Sequence, residues 1–203
     1  MDFQPWVRRS EFIETYDKPG TVILLEGKRA VSPVDQGKLS EVGKLLARST
    51  KHIIFRSGNA GGADFYFSQG VTQVNPSRLQ VITPYRGHRA KNNLGFHTIS
   101  LDDIDLANEP MVIYHTRNSS NVSQLINSYL QCGNNSFTVK ARYLLRDTVK
   151  VVGTSKLQPA TLAIFYDDLA KPKTGGTGHT MRVCEKNGIP YIDQTVWFKW
   201  LEQ

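Results

Sequence analysis

Short apolar runs alternate with amphipathic stretches along most of this chain. Thr21-Val22-Ile23-Leu24-Leu25 stays apolar up to Gly27 and predicts a strand buried on both faces. Residues 40–48 set Val42, Leu45 and Leu46 on one helical face. His52-Ile53-Ile54-Phe55 predicts a second strand, Leu79-Gln80-Val81-Ile82-Thr83 a third that Pro84 ends, and Met111-Val112-Ile113-Tyr114 a fourth. Thr161-Leu162-Ala163-Ile164-Phe165-Tyr166 is the most strand-like run, and Ile189-Pro190-Tyr191-Ile192 is a short last strand. Helices are expected over 64–69 and 122–130, and over 139–152 with Tyr143, Leu144 and Leu145 on the apolar side. Another runs from Thr180 to Lys186 and stops at Asn187-Gly188, and 196–201 forms a closing turn. Residues 92–108 read as surface loop, and the Ser- and Asn-rich segment 118–135 as an insertion.

Strands that alternate with helices imply right-handed crossovers and a largely parallel, doubly wound α/β sheet, here in one domain over 1–203. In such a sheet ligands bind beyond the carboxyl ends of the strands. Two strand-to-helix junctions carry small-residue loops: Ser57-Gly58-Asn59-Ala60-Gly61-Gly62-Ala63-Asp64 and Thr174-Gly175-Gly176-Thr177-Gly178-His179-Thr180. Glycine lets the backbone approach a phosphate without a Cβ in the way, and the next helix offers N–H groups and a partial positive charge. Either each loop is only a tight βα connection, or the pair holds a phosphate from two sides. The absence of Gly-Lys-Ser/Thr and of a dinucleotide fingerprint argues against a kinase, an ATPase or an NAD-dependent dehydrogenase.

Composition narrows the class further. Among 203 residues, 25 Lys+Arg stand against 18 Asp+Glu, a formal net charge of +7. That excess favours an anionic partner and fixes no chemistry. Hydrophobic residues make up 39% and charged residues 21%, ordinary for a soluble domain. No apolar run approaches the ~20 residues of a membrane span, so no membrane partner is expected. Residues 1–10 carry Arg8 and Arg9 with no apolar stretch behind them, which predicts no secretory signal and a cytoplasmic protein. Cys132 and Cys184 stand far apart, and the five histidines show no ligand spacing, so neither a metal nor a cofactor is expected.

Gly27-Lys28-Arg29 after the first strand, followed by Ser57-Gly58-Asn59-Ala60-Gly61-Gly62-Ala63-Asp64 after the second, resembles the DNA-processing protein DprA family. That family has a Gly-Ser/Thr-Arg element and then Ser-Gly-x-Ala-x-Gly-Ile/Val-Asp. Gly175-Gly176-Thr177-Gly178-His179-Thr180 is similar to the Gly-Gly-x-Gly-Thr loop of LOG-type nucleotide phosphoribohydrolases. Both families belong to the SLOG superfamily, whose members bind nucleotides, nucleotide-derived signals or single-stranded DNA. Over residues 21–192 the resemblance implies a Rossmann-like doubly wound, mostly parallel sheet with helices on both faces. It implies a phosphate site built from Gly27, Lys28 and Arg29, from Ser57, Gly58, Asn59, Ala60, Gly61, Gly62 and Asp64, and from Gly175, Gly176, Thr177, Gly178, His179 and Thr180. The chain departs from the families where His179 stands at the threonine of the LOG loop, Arg182 at the LOG glutamate, and Gly61 where DprA proteins usually carry a basic residue.

Other residues allow two readings each. Lys28, Arg29, Arg56, Arg86, His88, Arg89, Lys91, Lys171 and Lys173 gather at the expected ligand edge, either as an anion-binding face or as solvated loop charges. Arg29 and Arg86 stand out, because a guanidinium holds a phosphate with two parallel hydrogen bonds. Tyr85 beside Arg86 can stack on a base, a contact worth ~1–3 kcal/mol. Asp64 either caps the following helix or meets a ribose hydroxyl or an amine. Thr177 and Thr180 either donate to phosphate oxygens or cap their helix, and Asp167-Asp168 is either a Mg²⁺ site or a solvated turn. Trp197-Phe198-Lys199-Trp200-Leu201 either packs back onto the sheet or seals a homodimer. These observations predict a binding protein for a nucleotide, a nucleotide derivative or single-stranded DNA. The alternative is a nucleotide N-glycosidase in which Glu185 or Asp64 replaces the usual carboxylate.

Overall fold

A computed structural model describes residues 8–133 and 135–203; the leader reading rests on residues 1–10 and lies mostly outside the described residues. The helices are α1 (Arg9–Tyr16), α2 (Pro33–Ser49), α3 (Ala63–Thr72), α4 (Pro110–Ser119), α5 (Ser123–Cys132), α6 (Val139–Val152), α7 (Gly175–Lys186) and α8 (Gln194–Trp197). The strands are β1 (Val22–Gly27), β2 (Ile54–Ser57), β3 (Leu79–Thr83), β4 (His97–Ser100), β5 (Leu162–Tyr166) and β6 (Tyr191–Ile192). Among the described residues, all six strands form one parallel sheet in the order β4-β3-β2-β1-β5-β6. The chain steps outward from β1 through β2, β3 and β4, then returns to the other side of β1 for β5. The crossovers therefore diverge between β1 and β5, the place where a doubly wound sheet opens a crevice.

Side chains of a strand alternate between its faces, and both faces are covered here. On β1, Ile23 and Leu25 pack with Leu39, Val42 and Leu46 of α2 and with Phe67 and Val71 of α3. Leu24 faces the other way, onto Val151 of α6 and Met181 and Val183 of α7. The same alternation aims Glu26 at the α6/α7 layer. Gly43 and Gly70 let α2 and α3 touch backbone to backbone: a Cβ at 43 would lie 2.3 Å from the Phe67 oxygen, and one at 70 would lie 1.9 Å from the Ser40 oxygen. At the amino-terminal edge of the sheet, buried Arg78 donates to the carbonyls of Ala47, Thr50 and Ile53 at 3.0, 2.6 and 2.8 Å. It thereby answers carbonyls at the end of α2 that have no partner within the helix.

Four expectations need correction. Residues 111–114 are helical, within α4, and not a strand. A short apolar run does not reveal its period; here Pro110 at the first helical position, and Val112, Thr116 and Ser119 buried at helical spacing, decide it. Strand β4 lies inside the segment read as loop, because His97-Thr98-Ile99-Ser100 is a polar edge strand in which only Ser100 is buried. Helix α2 begins at Pro33, ahead of residue 40, because Ser32 caps it by accepting from Asp35 N at 3.2 Å. Helix α7 begins at Gly175 and not at Thr180, so the second glycine loop is its first turn. The closing aromatic run packs inward: Trp197 and Trp200 are fully buried, and Trp197 Nε1 donates to the Phe165 carbonyl at 2.9 Å.

Replacing Gly70 by alanine should force α2 and α3 apart and cost about 1–3 kcal/mol. A urea midpoint equal to that of the wild type would refute the close contact.

Candidate functional site

A cleft of about 750 Å³ lies at the carboxyl ends of β1 and β5, within the range usual for small-ligand sites. Gly27, Lys28 and Arg29 form one wall, and Gly175, Gly176 and Thr177 another. Tyr143, Arg146 and Asp147 of α6 rise between them, and Ser120 and Val122 close the side toward α5. Five basic residues line it (Lys28, Arg29, Lys140, Arg146, Arg182) against three acidic ones (Glu26, Asp64, Asp147).

The wall from α7 is a bare helix end. Its first N–H groups have no intrahelical acceptor, and the Thr174 side chain does not cap them. The helix dipole places partial positive charge there. A Cβ at Gly175 would meet nothing within 4 Å, and one at Gly176 would meet only Asp147 Oδ2 at 3.5 Å, so the approach is open. The connection from β5 is fixed from within: Asp167 Oδ2 accepts from Lys173 N at 2.8 Å, and the Gln194 amide bonds both backbone groups of Asp167. Asp167 is thus a buried loop anchor, neither of the two roles expected for it.

Asp64 also serves the backbone. Its carboxylate accepts from the N–H groups of Gly27, Gly58 and Ala60 at 3.3, 3.1 and 3.3 Å, tying the ends of β1 and β2 together without capping its own helix. Ala63 N donates to the Lys28 carbonyl at 3.2 Å. Gly62, at φ +75°, sits against the Arg29 backbone, where a Cβ would lie 2.1 Å from its oxygen.

Beneath the cleft lies an ion cluster that the sequence reading missed. Fully buried Lys150 bonds Glu26 at 2.6 Å and Asp147 at 2.9 Å, and Arg146 bonds Asp147 at 2.8 Å. Arg146 also donates to the Gly58 carbonyl, and Thr180 Oγ1 to Glu26 Oε1 at 2.9 Å. Burial, together with the Asp147 and Asp64 charges, pushes Glu26 up to about 7 against the pull of Lys150. Burial also opposes ionisation of Asp147, but Arg146 and Lys150 outweigh it and hold that carboxyl below the ordinary range. Two signals in the sequence marked the cluster. Glu26 and Arg56 interrupt strands that are otherwise apolar, and Arg142, Arg146 and Lys150 recur every four residues along α6.

The structure brings Gly27, Lys28, Arg29, Ala60, Asp64, Gly175, Gly176, Thr177 and His179 to the cleft. Ser57, Gly58, Asn59, Gly61, Gly62, Gly178 and Thr180 do not line it; Ser57 ends β2, Gly58, Asn59, Gly61 and Gly62 form the loop after it, and Gly178 and Thr180 lie within α7. Arg86 lies elsewhere, exposed and paired with Asp103 at 2.6 Å. Glu185 also lies outside, bonded to Lys173 and to the Tyr191 hydroxyl. His179 is fully buried, with Nδ1 2.8 Å from Ser120 Oγ and Nε2 3.2 Å from Thr148 Oγ1; burial lowers its pKa against the pull of Asp147. Arg182 forms part of the wall, donating to the Ser119 and Lys173 carbonyls at 2.8 and 3.0 Å. Among the described residues no group of three or more His, Cys, Asp or Glu could hold a metal ion. No helix of the described residues is long and apolar enough to cross a membrane.

No family model and no curated protein matches the chain. Two solved structures of similar fold are both DNA processing protein A (DprA). The Helicobacter pylori protein, whose structure was determined for its single-stranded DNA binding mode, aligns with TM-score 0.50 and 14% identity over 95% of this chain and 74% of its own. The Streptococcus pneumoniae protein aligns with TM-score 0.47 and 12% identity over 100% of this chain and 65% of its own. At 14% identity the likeness to the Helicobacter pylori protein bears on the fold alone, a Rossmann-like α/β sheet.

Two measurements test the cluster. Replacing Lys150 by methionine leaves two buried carboxylates short of a counter-ion and should cost about 3–5 kcal/mol in urea unfolding. Between pH 4.5 and about 7 the unfolded chain has released the Glu26 proton while the folded one still holds it, so this group's contribution falls as pH rises. Wild type should therefore lose stability relative to Glu26→Gln across that window, and parallel pH profiles would refute it.

Proposed function

We propose that this chain is a DprA-like binding protein whose cleft holds the phosphate of a nucleotide unit, free or within a single strand of DNA. The carrying observation is the uncapped end of α7, open at Gly175 and Gly176 and facing a lining with more cations than carboxylates. A phosphate there would accept from the free N–H groups and neutralise the helix pole. Lys28, Arg29 and Lys140 stand at the same cleft to add charge. The single-stranded DNA binding of the Helicobacter pylori protein of similar fold supports a nucleic-acid ligand.

The three lining carboxylates speak against the N-glycosidase alternative. Glu26 and Asp147 are bound to Lys150, and Asp64 is bound to backbone N–H groups. Of the two carboxylates that alternative names, Asp64 is therefore engaged by the backbone, and Glu185 stands outside the cleft.

Calorimetry with dTMP, dAMP and oligo-dT tests the reading. The Gly176→Val variant should bind at least about tenfold more weakly, a loss of 1.4 kcal/mol or more. Its own stability should stay within about 0.5 kcal/mol of the wild type, since the added Cβ meets only Asp147 Oδ2, at an ordinary contact distance of 3.5 Å. No binding by wild type, or equal binding by the variant, would remove the α7 terminus from the site.

A further inference from the structure

The side of the cleft toward α5 brings a serine and a histidine into contact. Ser120 directly follows α4, is half-buried and lines the cleft. Its Oγ lies 2.8 Å from Nδ1 of His179, a residue of α7 that lines the same cleft. The other ring nitrogen, Nε2, faces α6, with Thr148 Oγ1 at 3.2 Å, and the Leu144 carbonyl of that helix accepts from the ring. A carbonyl can only accept, so the ring proton is held on the α6 side and Nδ1 keeps its lone pair. The Ser120 hydroxyl therefore donates to Nδ1.

A second group acts on the same oxygen. Arg182 Nη2 donates to Ser120 Oγ at 3.0 Å, while its Nε and Nη1 are held by the carbonyls of Ser119 and Lys173 at 2.8 and 3.0 Å. The guanidinium is thus fixed with one arm on a hydroxyl oxygen, where it favours the charge that develops as the proton leaves. The Asp147 charge favours the imidazolium that receives this proton. Arg182 on the Ser119 carbonyl already ties α4 to α7; the Ser120 hydroxyl adds a donor–acceptor chain that opens on the cleft. His179 stands four residues after Gly175, about 6 Å along the helix axis. The hydroxyl therefore lies beside the space where a phosphate would meet the first N–H groups of α7.

We propose that Ser120 is a nucleophile, with His179 as its general base, toward a phosphodiester whose phosphate sits at the α7 terminus. The proposal rests on the phosphate reading above and adds a reaction to it. Ser120 Oγ attacks phosphorus while its proton passes to His179 Nδ1. The bond from phosphorus to the leaving oxygen breaks, and that oxygen takes the proton from Nδ1. Water then repeats the exchange: its proton goes to Nδ1, its oxygen binds phosphorus, and the Ser120 oxygen leaves and recovers a proton. The sum is hydrolysis of one ester bond, and nothing is oxidised or reduced. The α7 N–H groups receive the charge that grows on the phosphate oxygens.

The probe is thymidine 5′-(p-nitrophenyl) phosphate in the presence of EDTA, with dTMP calorimetry run beside it. Wild type should release p-nitrophenolate, and acid-quenched protein should carry a thymidylyl group on Ser120 in peptide mass spectra. Ser120→Ala should abolish both, and His179→Gln should lower the release at least about 100-fold. The adduct is read on the wild-type chain and does not depend on how the variants fold. Binding of dTMP without release from the probe, release that survives Ser120→Ala, or an adduct on another residue overturns the nucleophile and leaves the phosphate reading standing. If neither dTMP nor the probe binds to wild type, the phosphate reading fails and the proposal falls with it.

Discussion

Lys150 is fully buried, and only the fixed positions of Glu26 and Asp147, at 2.6 and 2.9 Å, make its charge tolerable there. Removing an ammonium from water costs several kcal/mol, so the carboxylates must stay where they are. That requirement locks the end of β1 to α6. The rest of the upper edge hangs on it: α7 through Thr180 on Glu26, and the first glycine loop through Arg146 on the Gly58 carbonyl. Asp64 completes the tie by holding Gly27 and Gly58 together. The distance between the two glycine elements is thus set by a lattice of charge beneath the cleft, and not by the flexible glycines themselves.

The same lattice sorts the charges of the chain into two populations. Cations below the floor meet carboxylates or carbonyls inside the protein, as do Lys150, Arg146 and Arg56, whose guanidinium reaches Gln80 and the carbonyls of Lys150 and Gln158. Among the described residues the Arg29 and Arg89 side chains make no hydrogen bond or ion pair. A net charge of +7 therefore says less than its placement does.

The fold was legible because its signal is redundant. Strands β1 and β5 are continuous apolar runs, and each glycine loop follows a strand. Where the signal was thin it misled: four apolar residues at 111–114 carry no period, and Pro110 outweighed them. The site was half legible for a similar reason. Glycines and the Gly27-Lys28-Arg29 element are local in sequence, whereas the contacts of Arg86 with Asp103 and of Lys150 with Glu26 join distant segments. Arg86 looked like a ligand residue because its partner is invisible until the chain folds. Lys150 drew no reading from the sequence for the same reason. Its spacing of four from Arg146 and Arg142 was the sign that a polar stripe faced inward.

The two edges of the sheet end differently. At the lower edge Arg78 answers the carbonyls of Ala47, Thr50 and Ile53 from within the protein. At the upper edge the first N–H groups of α7 are left for something from outside. Heritable change therefore meets two regimes in one small molecule. Below the sheet a substitution acts on whether the chain folds; above it, at the open face of Gly175 and Gly176, the backbone is left exposed to whatever enters the cleft.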